Sequence, residues 1–231
     1  MSLSEPSREN IHEMFDAISP TYDRVNHLIT FGMDKRWRKS VRQFLPPNGK
    51  LQLLDLATGT GDQILSLIDL VDHAVGIDLA EDMLQIGRKK CARYGDKVKL
   101  MCASALDVPF YDHSFDVVTM TFGIRNVTNP TKAFQEMRRV LKPGGRALII
   151  EGAMVSHSWI KPIHLFYLRQ ILPRLGGLFS GQKSAYSYLN KTIETFPYGE
   201  AFCKLMLDAG FSKASSHSLM FGSVRLYVGC V

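Results

Sequence analysis

The sequence predicts an α/β fold built on a doubly wound parallel sheet, with a helical lobe ahead of it and a helical lid inserted after its fifth strand. Three observations carry that expectation. Between residues 51 and 151 short apolar runs alternate with stretches of helical periodicity, the pattern of repeated βαβ units. The first run, Leu51-Gln52-Leu53-Leu54-Asp55-Leu56, places a carboxylate just ahead of a turn that contains Gly59 and Gly61. The last helix of the series stops at Lys142-Pro143-Gly144-Gly145, a breaker set directly before the fifth run.

Taken in order, Ile11, Met14, Phe15 and Ile18 recur at helical spacing, and Trp37, Val41 and Leu45 repeat it beyond an aromatic turn region around Tyr22 and Phe31. They predict the helical lobe, residues 1–48, which Pro46, Pro47 and Asn48-Gly49 separate from the sheet. Strands are expected at Leu51–Leu56, 74–78, Val98–Cys102, Phe115–Thr121 and 146–151, within a ligand-binding core over 49–151. A helix over 81–94 should bury Met83, Leu84 and Ile86 or Gly87, and one over 130–141 should bury Ala133, Phe134, Met137 and Val140. From 152 to 193 there is no aspartate or glutamate, while Lys161, Arg169, Arg174, Lys183 and Lys191 lie among Trp159, Phe166 and several leucines. The stretch 152–200 is read as the lid. A helix at 202–209 and strands at 215–220 and Val224–Cys230 close a single domain, in residues 201–231.

The glycine turn narrows the ligand. Gly59 and Gly61 can adopt positive φ and present no Cβ, so a ligand can lie against the backbone where strand gives way to helix. Asp78 closes the second apolar run, in position to accept both hydroxyls of a ribose. A dinucleotide fingerprint requires a third glycine three residues after the second, and Ile64 stands there. Asp55 would repel a pyrophosphate and attract an amino group, directly or through water. S-adenosyl-L-methionine meets these terms, having no phosphate, an ammonium, a sulfonium and one carboxylate for the helix that starts near Asp62. In open α/β sheets ligands sit beyond the carboxyl ends of the strands, where Asp55, Asp78, Ser104 and Thr121 all fall.

At 231 residues and 45% hydrophobic content the chain can bury one substantial core. Cys91, Cys102, Cys203 and Cys230 are scattered, with no CxxC pair and no histidine at ligand spacing, so neither a metal site nor a disulfide framework is expected. The first thirteen residues alternate charged and polar side chains and lack the apolar centre of a signal peptide. Lys161, Arg169 and Arg174 make 160–179 too polar for a membrane span. A cytoplasmic location follows as the expectation. The formal net charge of +6 is modest, and its positive residues cluster among bulky apolar ones in the lid. That distribution favours an anionic lipid surface over nucleic acid as partner.

Several stretches resemble the ubiquinone and menaquinone biosynthesis C-methyltransferase family. Phe15-Asp16, Tyr22-Asp23, Asn26, Phe31-Gly32 and Trp37 are similar to its N-terminal signature, and Thr121-Phe122-Gly123-Ile124-Arg125-Asn126-Val127 to its central one. Arg139-Val140-Leu141-Lys142-Pro143-Gly144-Gly145 resembles the turn before its fifth strand, and Leu172-Pro173-Arg174-Leu175-Gly176, Tyr186-Ser187-Tyr188-Leu189 and Phe196-Pro197 extend the likeness through the lid. The glycine turns occur across many methyltransferases, whereas Gly123 to Val127 is far more selective. The resemblance implies a class I, Rossmann-like S-adenosylmethionine-dependent methyltransferase acting on a prenylated hydroquinone. Conversion of demethylmenaquinol to menaquinol is its main reading, with the equivalent benzoquinol step, methylation of another small phenol, or a non-catalytic quinone-binding scaffold as alternatives. It further implies cofactor positions at Thr60, Asp78, Ser104 with Ala105, and Thr121. A peripheral place at the inner face of the membrane, and a homodimer, are compatible with it.

Methyl transfer from a sulfonium to a ring carbon is an in-line displacement, so much of the acceleration comes from positioning in a dry site. The ring carbon becomes nucleophilic when the adjacent hydroxyl loses its proton, and the phenolate then needs a positive partner. Arg125, with Asn126 beside it, is the expected partner, since a guanidinium keeps its proton at a pKa above about 12. Tyr22, Asp23 and His27 are expected to orient or relay the proton, because the helical lobe should fold over the cofactor. His157 and His164 lie in the lid and are read as surface or packing residues.

Overall fold

A computed structural model describes residues 8–47, 49–155, 159–180 and 182–231. Asn48 of the expected breaker and His157 of the lid lie outside the described residues. Among the described residues seven strands form one sheet: β1 (Leu51–Leu56), β2 (Val71–Asp78), β3 (Val98–Cys102), β4 (Phe115–Thr121), β5 (Leu141–Gly152), β6 (Lys213–Leu219) and β7 (Val224–Cys230). Their order is β3-β2-β1-β4-β5-β7-β6. The first five run parallel. β7 runs against both β5 and β6.

The central parallel strands β1 and β4 are buried on both faces because helices cover both. Leu54 and Leu56 of β1 pack toward Phe134 and Met137 of α5 (Pro130–Val140) and Phe202 and Met206 of α9 (Glu200–Asp208). Leu51 and Leu53 pack toward the opposite layer, which holds Trp37 of α2 (Asp34–Ser40), Ile64 and Leu67 of α3 (Asp62–Leu67), and Leu84 and Cys91 of α4 (Glu81–Cys91). A third cluster joins α1 (Ile11–Ile29) to α7 (Leu172–Ser180) and α8 (Lys183–Thr195) through Ile18, Leu172, Ala185 and Tyr186. The helix α6 (Lys161–Phe166) leads into this group.

The reversal at β7 matters for the site. Because β6 again points the same way as β5, Leu219 and Gly152 both pair with Val224, and the turn 220–222 emerges at the carboxyl edge of the sheet.

Several sequence expectations need correction. Tyr22 is not in a turn: α1 runs unbroken from Ile11 to Ile29 with Pro20 inside it. Proline costs a helix one hydrogen bond, but Ile11, Met14, Ile18, Val25 and Ile29 keep one buried stripe on both sides of it, and that burial prevails. β2 begins three residues earlier than its apolar run, because Asp72 and His73 point to solvent and hide the start. The Lys-Pro-Gly-Gly turn does not precede β5 but bulges out of it, since Phe115 pairs with Leu141 and Val117 already with Arg146. The helix over 81–94 ends at Cys91, and 92–97 tightens into a turn with Gly95 at φ 52°.

On α4 it is Gly87, not Ile86, that is buried. A Cβ there would meet the Leu100 side chain at 2.7 Å and the Thr60 carbonyl carbon at 3.2 Å, so this glycine lets α4 lie against the glycine turn. Gly87→Val is expected to lower unfolding free energy by about 1–3 kcal/mol, read by urea denaturation, and to weaken ligand binding at the turn in parallel.

Candidate active site

β1 and β4 are neighbours at the centre of the sheet, the point where the strand order reverses and a crevice opens. Both strands end in left-handed backbone: Ala57 has φ 50° and Phe122 φ 58°. The two turns nearly touch, since a Cβ on Gly123 would lie 2.7 Å from that of Ala57. That contact explains why glycine opens the Gly-Ile-Arg-Asn-Val stretch.

The crevice is lined by Tyr22, Arg38, Asp55, Thr58, Gly59, Thr60, Asp62, Gln63 and Thr121. Gly59 and Gly61 take φ 54° and 81°, as the turn requires. Asp55 is fully buried and accepts the hydroxyls of Thr58 at 2.7 Å and Thr119 at 2.6 Å. Burial pushes its pKa up to about 6 against the pull of those two bonds. Its folded value lies above its ordinary one, so ionised Asp55 costs stability, and unfolding free energy is expected to fall as pH rises from about 4 to 6, by roughly 3 kcal/mol. Asp55→Asn should flatten that slope in thermal melts taken across the range.

Asp78 accepts Gly59 N–H at 2.8 Å on one carboxylate oxygen and Ala80 N–H at 3.0 Å on the other, tying the end of β2 to the turn. Burial raises its pKa as well, opposed by those backbone bonds. Thr121 donates to Gln63 Oε1 at 3.0 Å. Ser104 and Ala105 stand beyond β3, where Ser104 Oγ accepts Leu106 N–H at 3.1 Å. Ile64 is fully buried and fills the space that a third glycine would have left.

Thr60 shows what the sequence reading missed. Its hydroxyl donates to Asp23 of α1 at 2.7 Å, Lys90 of α4 reaches Thr60 at 3.0 Å and Asp23 at 2.9 Å, and Lys90 also pairs with Asp62. Asp16 accepts the Asp82 N–H at 2.9 Å at the start of α4. α1 is thereby fastened over the turn at two points. Asp23, expected as a proton relay, is engaged on the cofactor side instead. His27 is also displaced from its expected role: its Nδ1 lies 2.8 Å from buried Asp34, and it lines neither cavity. His27, Asp34 and Asp62 bring ligand atoms within 4.8 Å of one another, but His27 Nδ1 and Asp34 already face each other and Asp62 pairs with Lys90.

Beside the crevice lies a larger, mostly apolar cavity of about 370 Å³ between α1 and the lid. Tyr22 lines both spaces and forms the boundary between them. Burial raises its pKa against the opposing pull of Arg38 and Arg125. Arg125 and Asn126 also line the large cavity. Arg125 is only 4% exposed and pairs with Glu151, which has no exposed surface; Glu151 also accepts the N–H of Gly152 at 2.7 Å. The guanidinium carbon lies 5.7 Å from the centre of the Phe122 ring. His164 lines the same cavity, and burial lowers its pKa. A buried ion pair between residues 26 apart has no signature in the sequence, since only the sheet register brings the ends of β4 and β5 together.

A model of the ubiE/COQ5 methyltransferase family matches residues 3–231. The ubiquinone/menaquinone biosynthesis C-methyltransferase UbiE of Geotalea daltonii is 40% identical over 228 residues, 96% of each chain. The demethylmenaquinone methyltransferase of Chlorobaculum tepidum is 40% identical over 231 residues, 98% of this chain and 94% of that one. Among solved structures, a SAM-dependent methyltransferase of Thermotoga maritima, described as a possible histamine N-methyltransferase, superposes with a TM-score of 0.67 at 19% identity, over 94% of this chain and 98% of its own.

Proposed function

The chain belongs to the ubiE/COQ5 methyltransferase family, and we propose that within it the protein methylates demethylmenaquinol to menaquinol. It is an S-adenosylmethionine-dependent C-methyltransferase of quinone biosynthesis. The naphthoquinol is the finer part of the reading, with the equivalent benzoquinol as its rival. One observation carries the site assignment: a buried cation, Arg125, lines an apolar cavity that meets the cofactor crevice at Tyr22.

The crevice residues suit the cofactor, with buried Asp55 at the end of β1, half-buried Asp78 bonded to the turn at Gly59, and positive-φ Gly59 and Gly61 shaping that turn. When bound, S-adenosylmethionine supplies an electrophilic methyl group on a sulfonium sulfur. Asp78 would hold the ribose through the lone pairs that its two backbone bonds leave free, and Thr60, Ser104, Ala105 and Thr121 would line the remainder. Asp55 would attract the amino group, directly or through water.

On the other side, the cavity wall excludes water from the quinol ring. Tyr22 orients the ring at the boundary, and Asn126 offers a side-chain amide next to Arg125. Arg125 lowers the energy of the phenolate that forms when the ring hydroxyl gives up its proton. Glu151 holds the guanidinium in place, so the positive charge waits pre-oriented at the cavity floor.

Among the described residues no helix is long and apolar enough to cross a membrane. A prenylated substrate dissolves in lipid, so we place the enzyme at the cytoplasmic face of the membrane, peripherally attached. The test is to offer labelled S-adenosylmethionine with demethylmenaquinol and, separately, with its benzoquinol counterpart, following label into the organic phase. Transfer to the naphthoquinol at the higher kcat/KM is expected. Preference for the benzoquinol would overturn the finer reading.

A further inference from the structure

We propose that the mouth of the large cavity is a membrane-docking rim that seats in the headgroup boundary of an anionic bilayer, letting a prenyl tail pass from lipid into the cavity without crossing water. The proposal rests on reading that cavity as the site of the substrate tail.

Four residues line the cavity and still face outward: Phe31 at 76% exposure, Ile163 at 65%, Phe221 at 74% and Met220 at 40%. Trp159, beside cavity-lining Ile160, is 73% exposed. These side chains come from three separate places, the turn after α1, the start of the lid and the β6–β7 turn, so their meeting at one opening is a product of the fold. Exposed apolar side chains gathered in this way mark an interaction surface.

Backbone geometry supports the same conclusion independently. Phe31, Met220 and Phe221 all sit in the left-handed region, at φ 52°, 42° and 56°. Bulky residues are rarely held there, and the conformation is retained where function requires it. Here the strained residues send their side chains to solvent, where they add little to the core.

Charge identifies the occupant. No aspartate or glutamate occurs in residues 35–54, 152–193 or 209–231, stretches that follow Phe31 and contain the start of the lid and the β6–β7 turn. Lys35, Arg36 and Lys39 follow Phe31 on the exposed side of α2, and Lys161 stands between Trp159 and Ile163. An aromatic rim beside unopposed lysines and arginines is suited to an anionic lipid surface. A second copy of the chain docked through this face would set those cations against their own kind.

The test uses vesicles of phosphatidylcholine alone and of phosphatidylcholine mixed with phosphatidylglycerol. The full chain should cosediment with the mixed vesicles, far less with the neutral ones, and release as salt rises. Tryptophan emission should shift to the blue on binding, and Trp159→Ser should abolish the shift because the other tryptophan, Trp37, is 7% exposed. Trp159→Ser with Phe221→Ser should need at least about tenfold more mixed lipid for half-binding. Trp159→Ser alone should keep wild-type turnover of a short-tailed quinol dispersed in detergent, which shows that the variant folds.

Wild-type lipid binding by the double variant would overturn the proposal. So would methylation of dispersed quinol by a chain that ignores both kinds of vesicle, or a doubled mass in sedimentation without vesicle binding. Vesicle binding by a chain that transfers no label would keep the docking face and remove the quinol reading, so the two failures are distinct.

Discussion

Arg125→Ala is expected to slow methyl transfer by about two to three orders of magnitude and to cost the fold about 3–5 kcal/mol. The two losses have different origins. The rate falls because a preorganised positive donor is removed from the point where negative charge develops, in an apolar cavity where water cannot replace it. Stability falls because Glu151, with no exposed surface, is left as an unpaired buried carboxylate that retains only backbone N–H partners. A double variant separates them. Arg125→Leu with Glu151→Leu should regain most of the stability, since a buried ion pair can be exchanged for apolar packing at little cost, yet remain inactive. Urea denaturation reads the first quantity and single-turnover label transfer the second. If Arg125→Ala kept turnover within twofold, the phenolate role would be wrong.

Asp78→Ala is expected to weaken S-adenosylmethionine binding by about ten- to a hundredfold, the range of about 1.5–3 kcal/mol for a hydrogen bond to a charged group. The carboxylate acts twice, as the proposed partner of the ribose and as acceptor for the Gly59 and Ala80 N–H groups that shape the turn. Asp78→Asn should fall between the two, because an amide has one oxygen where the carboxylate has two. Burial raises the Asp78 pKa, so affinity should begin to fall at a higher pH on acidification than an exposed aspartate would show. Calorimetric titration from neutral to acidic pH measures both effects. Unchanged affinity in Asp78→Ala would refute the ribose assignment.

What could be read from the sequence, and what could not, divides along physical lines. β1 and β4 match their apolar runs because central parallel strands are buried along most of their length, and β3, at the sheet edge, matches through Leu100 and its apolar neighbours. α5 buries the four apolar residues that its period marks out, together with Glu136, which the period passes over. Tyr22 reads as part of an aromatic turn, yet it lies within α1, because the buried stripe on both sides of Pro20 keeps the helix continuous. The glycine turn announces the crevice and the lobe is expected to fold over it, yet nothing local reveals which side chains fasten α1 there, because Asp23, Thr60 and Lys90 meet only in the folded chain. Glu151 is the clearest omission. In sequence it is the end of a strand, and only the register of β4 against β5 sets it against Arg125.

The antiparallel β7 has a practical corollary for handling the protein. Cys230 lies level with Arg146, near the start of the main run of β5, whereas the 220–222 turn sits at that strand's finish. A fluorophore, purification handle or surface tether fused behind Val231 would therefore hang from the underside of the molecule. Immobilised in that orientation, the enzyme would present its greasy opening outward, free to sample a supported lipid film.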